Sequence, residues 1–202
     1  AAPAETPEKS RTRAELLGQI MKNYKYAVGI SGTHGKTTTT SMVTEILLAA
    51  DADPTISVGG ILNSIGGNIR VGASELFVTE ACEYTNSFLS FFPNMEIILN
   101  IEEDHLDFFK DIEEIRHSFK LFAQKLPKNG LLVINSDIDR YEEITQGLSC
   151  NIVTCGKNHS SEYRAEHIVY DELARATFDL WIRGEKAADI SLGVPGEHNV
   201  YN

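Results

Sequence analysis

The sequence predicts an α/β fold, a mostly parallel sheet flanked by helices with a small antiparallel β appendage near the C-terminus. Three observations carry that prediction. Short apolar runs alternate with helical stretches from residue 26 to residue 155, the pattern that builds parallel strands joined by crossover helices. Several of those runs end on Gly, Glu or Asn, at the carboxyl ends where such sheets collect ligands. Beyond about residue 162, strand-like runs succeed one another with no helix between them.

Each element has its own signal. Residues 1–10 are small, polar and proline-bearing, which reads as a linker or ragged end, and residues 1–24 together are assigned to a linker or the end of a preceding region. Arg13–Met21 forms a short helix with Leu16, Leu17 and Ile20 on one face. Residues 26–30 are a buried strand, followed by a helix on which Met42, Val43, Ile46, Leu47 and Ala50 recur at helical spacing. Asp51 and Asp53-Pro54 stop that helix. Residues 55–58 make a second strand, then a glycine-rich loop runs through Gly59, Gly60, Gly66 and Gly67. Leu76–Glu80 and residues 96–100 are the next strands. Ile112, Ile115, Phe119, Phe122 and Leu126 mark a strongly amphipathic helix. Leu131–Asn135 and Asn151–Cys155 complete the parallel part. Residues 167–170, 176–182 and 187–192 form the antiparallel appendage, and a new helix begins after Gly196.

Composition narrows the function. A chain of 202 residues, 42% apolar, suits one large domain with a sizeable core. Acidic residues outnumber basic ones by 29 to 18, a net charge of −11, which argues against a nucleic-acid partner but leaves room for a small anion in one positive pocket. Three cysteines are too few for a disulfide scaffold and point to a reducing cytoplasm. Cys150 and Cys155 have no further soft ligands nearby in sequence, so zinc is not expected. No apolar run reaches the roughly 18 residues of a membrane span, and the first residues do not resemble a signal peptide. A soluble, intracellular protein with no membrane partner is expected.

The chemistry centres on the segment from Gly29 to Thr38, between a strand and a helix. Glycines let successive N–H groups face one anion, and the helix N-terminus adds partial positive charge. There Gly32, Thr33, His34, Gly35, Lys36, Thr37 and Thr38 make a P-loop NTPase-like cradle for ATP. Lys36 would lie against the β- and γ-phosphates, and the Thr37 hydroxyl would complete a Mg2+ shell. The spacing departs from the usual motif, because Ile30 holds the first glycine position and Gly32 stands three residues before Gly35. A plain glycine-rich turn with a surface lysine is the alternative; the order of strand, loop and helix favours the nucleotide. Glu80, at a strand end, is the candidate carboxylate for magnesium, with Glu83 second; each could instead be a solvated charge. His105, between Asp104 and Asp107, could hold a second metal ion, contact the transferring phosphoryl group, or serve structure alone.

These residues also carry a family resemblance. The segment 32–38, Gly-Thr-His-Gly-Lys-Thr-Thr, resembles the loop of the Mur ligases, shortened in the same way, and its histidine is similar to that of the subgroup adding L-alanine to UDP-N-acetylmuramate and of the related murein tripeptide ligase. Glu80-Ala81-Cys82-Glu83, Ser87-Phe88-Leu89 and Asn100-Ile101-Glu102-x-Asp104-His105-x-Asp107 resemble successive segments of that family. The resemblance implies metal ligation by Glu80 and His105. Pro195-Gly196-x-His198-Asn199-x-x-Asn202 is similar to the family's adenine-binding segment, which puts Asn199 and Asn202 on one helix face toward the base. Lys120 falls about where some members carry a carbamylated lysine, although the alanine-adding branch generally lacks it. Gly66-Gly67-Asn68 lines the sugar-nucleotide site or is simple surface loop. The family reading makes residues 25–202 a central ATP-binding domain, cut short at its C-terminus. A UDP-holding domain would precede it and an amino-acid-bringing domain would follow. The implied reaction is ATP-dependent amide formation between the muramyl lactyl carboxylate and L-alanine in cell-wall precursor synthesis. A non-catalytic nucleotide-binding module is the reading from another class.

Overall fold

A computed structural model describes residues 12–202; the linker expected over residues 1–10 lies outside the described residues. The first helix, α1 (Arg13–Met21), starts where a side chain can replace the missing backbone partners. Glu15 N–H donates to the Thr12 hydroxyl at 3.2 Å and Thr12 N–H donates to the Glu15 carboxylate at 2.8 Å, a reciprocal cap.

The elements β1 (Tyr26–Ser31), α2 (Lys36–Ala49), β2 (Thr55–Leu62), β3 (Gly67–Arg70), β4 (Leu76–Glu80) and β5 (Met95–Ile98) follow. Next come α3 (Ile112–Ala123), β6 (Leu131–Asn135), α4 (Tyr141–Thr145), β7 (Asn151–Cys155), β8 (Tyr163–Tyr170), β9 (Arg175–Ile182), β10 (Glu185–Pro195) and α5 (His198–Tyr201). They form one sheet in the order β10-β9-β8-β7-β6-β5-β1-β4-β2-β3. β1 runs parallel to both β4 and β5, with Ile30 opposite Glu80 and Ser31 opposite Ile98. That register matters most for the site, because it sets the carboxyl ends of three strands side by side.

Alternation along the strands sorts side chains onto two faces. Ile30, Ile56, Val58, Val78 and Leu99 pack with Val43 and Leu47 of α2 on one face. Ala27, Phe77, Ile98, Leu132 and Ile134 pack with Phe88, Phe119 and Phe122 on the other, where α1 and α3 also lie. Phe88 stacks on Phe122 with ring centroids 4.5 Å apart. Each such fully buried side chain contributes roughly 1.5–3 kcal/mol through removal from water. Glu96 departs from this apolar face: it is fully buried, among the described residues with only a 3.5 Å bond from the Ser31 hydroxyl, and burial pushes its carboxyl well above the usual range.

Several expectations change. The glycine-rich stretch after residue 58 is no loop: β2 continues through Gly59 and Gly60 to Leu62, turns at Gly66 (φ 67°) and returns antiparallel as β3. Glycine there hides the alternation that marks a strand. β5 ends at Ile98, two residues earlier than expected, and α4 was not foreseen, its five residues being too short for a periodic signal. The appendage β8–β10 is antiparallel as expected, but Cys155 pairs with Tyr163 in parallel, so it extends the main sheet. All three cysteines are free, and burial pushes the Cys155 thiol up to about 11. Among the described residues, no helix is long and apolar enough to cross a membrane.

Candidate functional site

Between β1 and α2 the chain bends through Gly32 (φ 143°) and Gly35 (φ 83°). Gly35 caps α2 in the left-handed region that glycine alone enters freely, and it offers no side chain to the helix's first N–H groups. An added Cβ there would run into Asn202, so the last residue of the chain lies against the loop. The segment after β5 braces the other side. His34 N–H donates to Asn100 Oδ1 at 2.7 Å, and Asn100 Nδ2 donates to His34 O at 3.1 Å. The Thr33 hydroxyl accepts from Glu102 N–H at 2.9 Å, so this buried side chain is spent on holding the loop. Asn100 had no individual role in the sequence reading; its two bonds to a residue 66 positions away leave no local signal.

The charges meet on the first turn of α2. Lys36 Nζ donates to Glu83 Oε2 at 2.9 Å, to Thr33 O at 3.1 Å and to Gly32 O. Glu83 is 2% exposed, which corrects the reading of a solvated charge: it is a buried partner of the loop lysine. His105 approaches the same carboxylate, with Nε2 3.6 Å from Glu83 Oε1. One residue along the helix, the Thr37 hydroxyl donates to Glu80 Oε2 at 3.1 Å, and Gly59 N–H donates to Glu80 Oε1 at 2.5 Å. Lys36, Thr37, Glu80, Glu83 and His105 therefore gather beyond the carboxyl ends of the inner strands β1, β4 and β5. Glu80 and His105 reach it by different routes, the first through Thr37 and the second through Glu83.

The remaining candidates are placed less directly. His34 is exposed, its Nε2 3.8 Å from the equally exposed Glu102 carboxylate. Thr38 is half-buried on α2. Asn199 and Asn202 do share a face, joined by a 3.0 Å bond from Asn202 Nδ2 to Asn199 Oδ1. Asn199 is buried, however, and its amide N–H donates to Pro195 O at 2.7 Å, so it braces α5 as well as lining it. Lys120 is half-buried in the last turn of α3; Gly66 closes the β2–β3 turn, and Gly67 and Asn68 open β3. A cavity of about 520 Å3 opens beside Glu80, lined among others by Arg13, Ser57, Gly59, Asn86 and Ser87. The contribution of α1 to it was not anticipated, since nothing local ties Arg13 to Glu80.

Among the described residues no three His, Cys, Asp or Glu side chains form a closed metal cage. Magnesium on a polyphosphate needs none, because phosphate oxygens and water fill most of its six positions. The Thr37 hydroxyl beside the Glu80 carboxylate is the hard-oxygen pair that such an ion takes from protein.

An open helix N-terminus, a lysine one step inside it and hard oxygens alongside are what a bound polyphosphate requires. Fold and site together thus define a phosphate-loop α/β domain. Comparison with known proteins narrows that class: residues 30–202 match the family model described as the Mur ligase middle domain, and the chain belongs to this family. It is 69% identical over 192 residues to the UDP-N-acetylmuramate–L-alanine ligase of Lachnospira eligens, covering 95% of this chain and 42% of that protein. The chain thus spans well under half the length of this relative. Two solved structures share its fold. The UDP-N-acetylmuramate:L-alanyl-γ-D-glutamyl-meso-diaminopimelate ligase of Neisseria meningitides superposes with a TM-score of 0.82 at 26% identity, over 93% of this chain and 61% of that one. The UDP-N-acetylmuramate-alanine ligase of Thermotoga maritima gives 0.77 at 30% identity, over 94% and 42%.

Proposed function

We propose that the chain is the ATP-binding part of a ligase that joins L-alanine to the lactyl carboxylate of UDP-N-acetylmuramate, in cytoplasmic synthesis of peptidoglycan precursors. The observation that carries this reading is the pairing of Lys36 with Glu83 and of Thr37 with Glu80 on consecutive residues of one helix N-terminus. The alanine-adding assignment is preferred to the tripeptide-adding one because the far higher sequence identity is to a relative named for alanine.

In this reading the first N–H groups of α2 hold the β- and γ-phosphates of ATP. Lys36 exchanges its loop carbonyls and Glu83 for phosphate oxygens and neutralises charge on the transferred group. Thr37 and Glu80 would hold magnesium, with His105 as ligand to a second ion; the metal would supply positive charge along the phosphates. A substrate carboxylate oxygen attacks the γ-phosphorus and the bond to the β-phosphate oxygen breaks, giving an acyl phosphate and ADP. The amine of L-alanine then attacks the acyl carbon, loses a proton and displaces phosphate. The chain's part is positional and electrostatic. Asn202, lying against Gly35, and Asn199 beside it stand on the side where we place adenine.

The test uses the full-length protein with ATP, magnesium, UDP-N-acetylmuramate and L-alanine, reading phosphate release that depends on both acceptors. Lys36→Ala should lower turnover by at least about a thousandfold. Near-normal turnover in that variant would overturn the site assignment. Phosphate release with the tripeptide but not with L-alanine would transfer the chain to the recycling ligases, and nucleotide binding without acceptor-dependent release would make it a non-catalytic module.

A further inference from the structure

We infer that Tyr84 is a positioning residue, one that sets the His105 imidazole toward the phosphate-loop carboxylate; its bearing on turnover rests on the ligase reading above. Neither polar contact of that imidazole is short enough to orient it. Nε2 stands 3.6 Å from Glu83 and Nδ1 stands 3.9 Å from Asp104, both beyond a normal hydrogen bond. What faces the ring closely is Tyr84: the two ring centroids are 4.6 Å apart and the planes are inclined by 37°. The Tyr84 hydroxyl donates to Asp107 Oδ2 at 2.8 Å, two residues past His105 on the same turn. Phe108 meets the Tyr84 ring edge-on at 6.1 Å. Tyr84 thus grips the turn 105–108 at its imidazole, its carboxylate and its phenyl ring.

The backbone gives that grip a purpose. His105 sits at φ 52°, in the left-handed region that a side-chain-bearing residue rarely takes. The turn closes on itself, the His105 carbonyl accepting from Phe108 N–H at 2.8 Å and Phe109 N–H at 2.9 Å. Those bonds fix where the Cα is, and leave the side-chain torsions free. Tyr84 directly follows Glu83, so the same short segment supplies the buried carboxylate and the ring that keeps the imidazole beside it.

The experiment compares full-length parent, Tyr84→Phe and Tyr84→Leu. Tyr84→Phe keeps the stack and loses only the Asp107 bond, and kcat should stay within about threefold. Tyr84→Leu should lower kcat by about thirtyfold, with KM for ATP and for L-alanine within about twofold, because orientation rather than binding is lost. A kcat for folded Tyr84→Leu within about twofold of the parent would overturn the inference. The His105 imidazole resonance, assigned with His105→Gln, gives a readout that needs no turnover: the aromatic ring at position 84 should displace it in the parent and in Tyr84→Phe, and not in Tyr84→Leu. A resonance indifferent to Tyr84→Leu also sinks the proposal. A parent that lacks acceptor-dependent phosphate release would defeat the ligase reading instead, while the resonance still judges the placement.

Discussion

The phosphate-loop site and the β8–β10 appendage are both rich in ion pairs, yet the pairs differ in kind. Lys36 and Glu83 leave only 15% and 2% of their side chains exposed. In the appendage, Lys186 pairs with Asp179 at 2.9 Å and Arg183 with Glu162 at 2.7 Å on side chains that water reaches. Buried charges depend on each other, since a survivor left without its partner has no solvent to turn to. Exposed charges are screened and exchange partners with water at little cost. The same residue types therefore build a poised site beyond the inner strands of the sheet and a solvated surface along its β8–β10 side.

Substitutions can break or sharpen that contrast. Glu83→Ala should have the largest effect on stability, about 3 kcal/mol by denaturant unfolding, because it strands Lys36 among the Gly32 and Thr33 carbonyls. A loss under about 0.5 kcal/mol would erase the distinction between the two regions. Glu96→Gln tests a buried acid with no counter-charge, one of whose oxygens has no partner among the described residues. Its carboxyl titrates above the ordinary 4.5, so the stability it allows is complete below that value and is lost as pH rises through the higher folded-state one. Glu96→Gln should accordingly raise Tm at pH 7 and lose that advantage as pH approaches 4.5, and a pH-independent difference would contradict the assignment. The smallest effect is expected in the appendage. His167 and then Lys186 hold the Asp179 carboxyl down at about 2, so its contribution is present above the ordinary 3.8 and is lost only as pH falls through about 2. Asp179→Asn should shift Tm at pH 7 by no more than about 2 °C. A larger drop would show that the appendage relies on its charges as the loop does.

What could be read in advance follows from the range of the interactions. The phosphate loop was legible because strand, bend and helix are contiguous, and α3 because Ile115, Phe119 and Phe122 repeat with the helical period and are all buried. The β2–β3 hairpin was hidden because Gly59 and Gly60 carry no side chain to alternate, and α4 because five residues hold less than two turns. Glu83 looked like a surface charge because its environment is made by Lys36, 47 positions earlier. Family resemblance pointed to Glu80 and His105, but not to the Tyr84 ring against His105 or the bracing of His34 by Asn100.

By itself the chain's order of residues determined the α/β class, the place of the phosphate loop and the buried face of α3, because each of these depends on neighbours within a few positions. Leu16 of α1 and Ile46 of α2, read from the same spacing as buried, are instead 53% and 68% exposed. Tertiary structure alone decided which carboxylate meets Lys36, which meets Thr37, and how an imidazole from beyond β5 arrives beside them. Those meetings depend on β1 lying between β4 and β5. Such strand order is settled by the packing of the whole sheet, and no local stretch of sequence contains it.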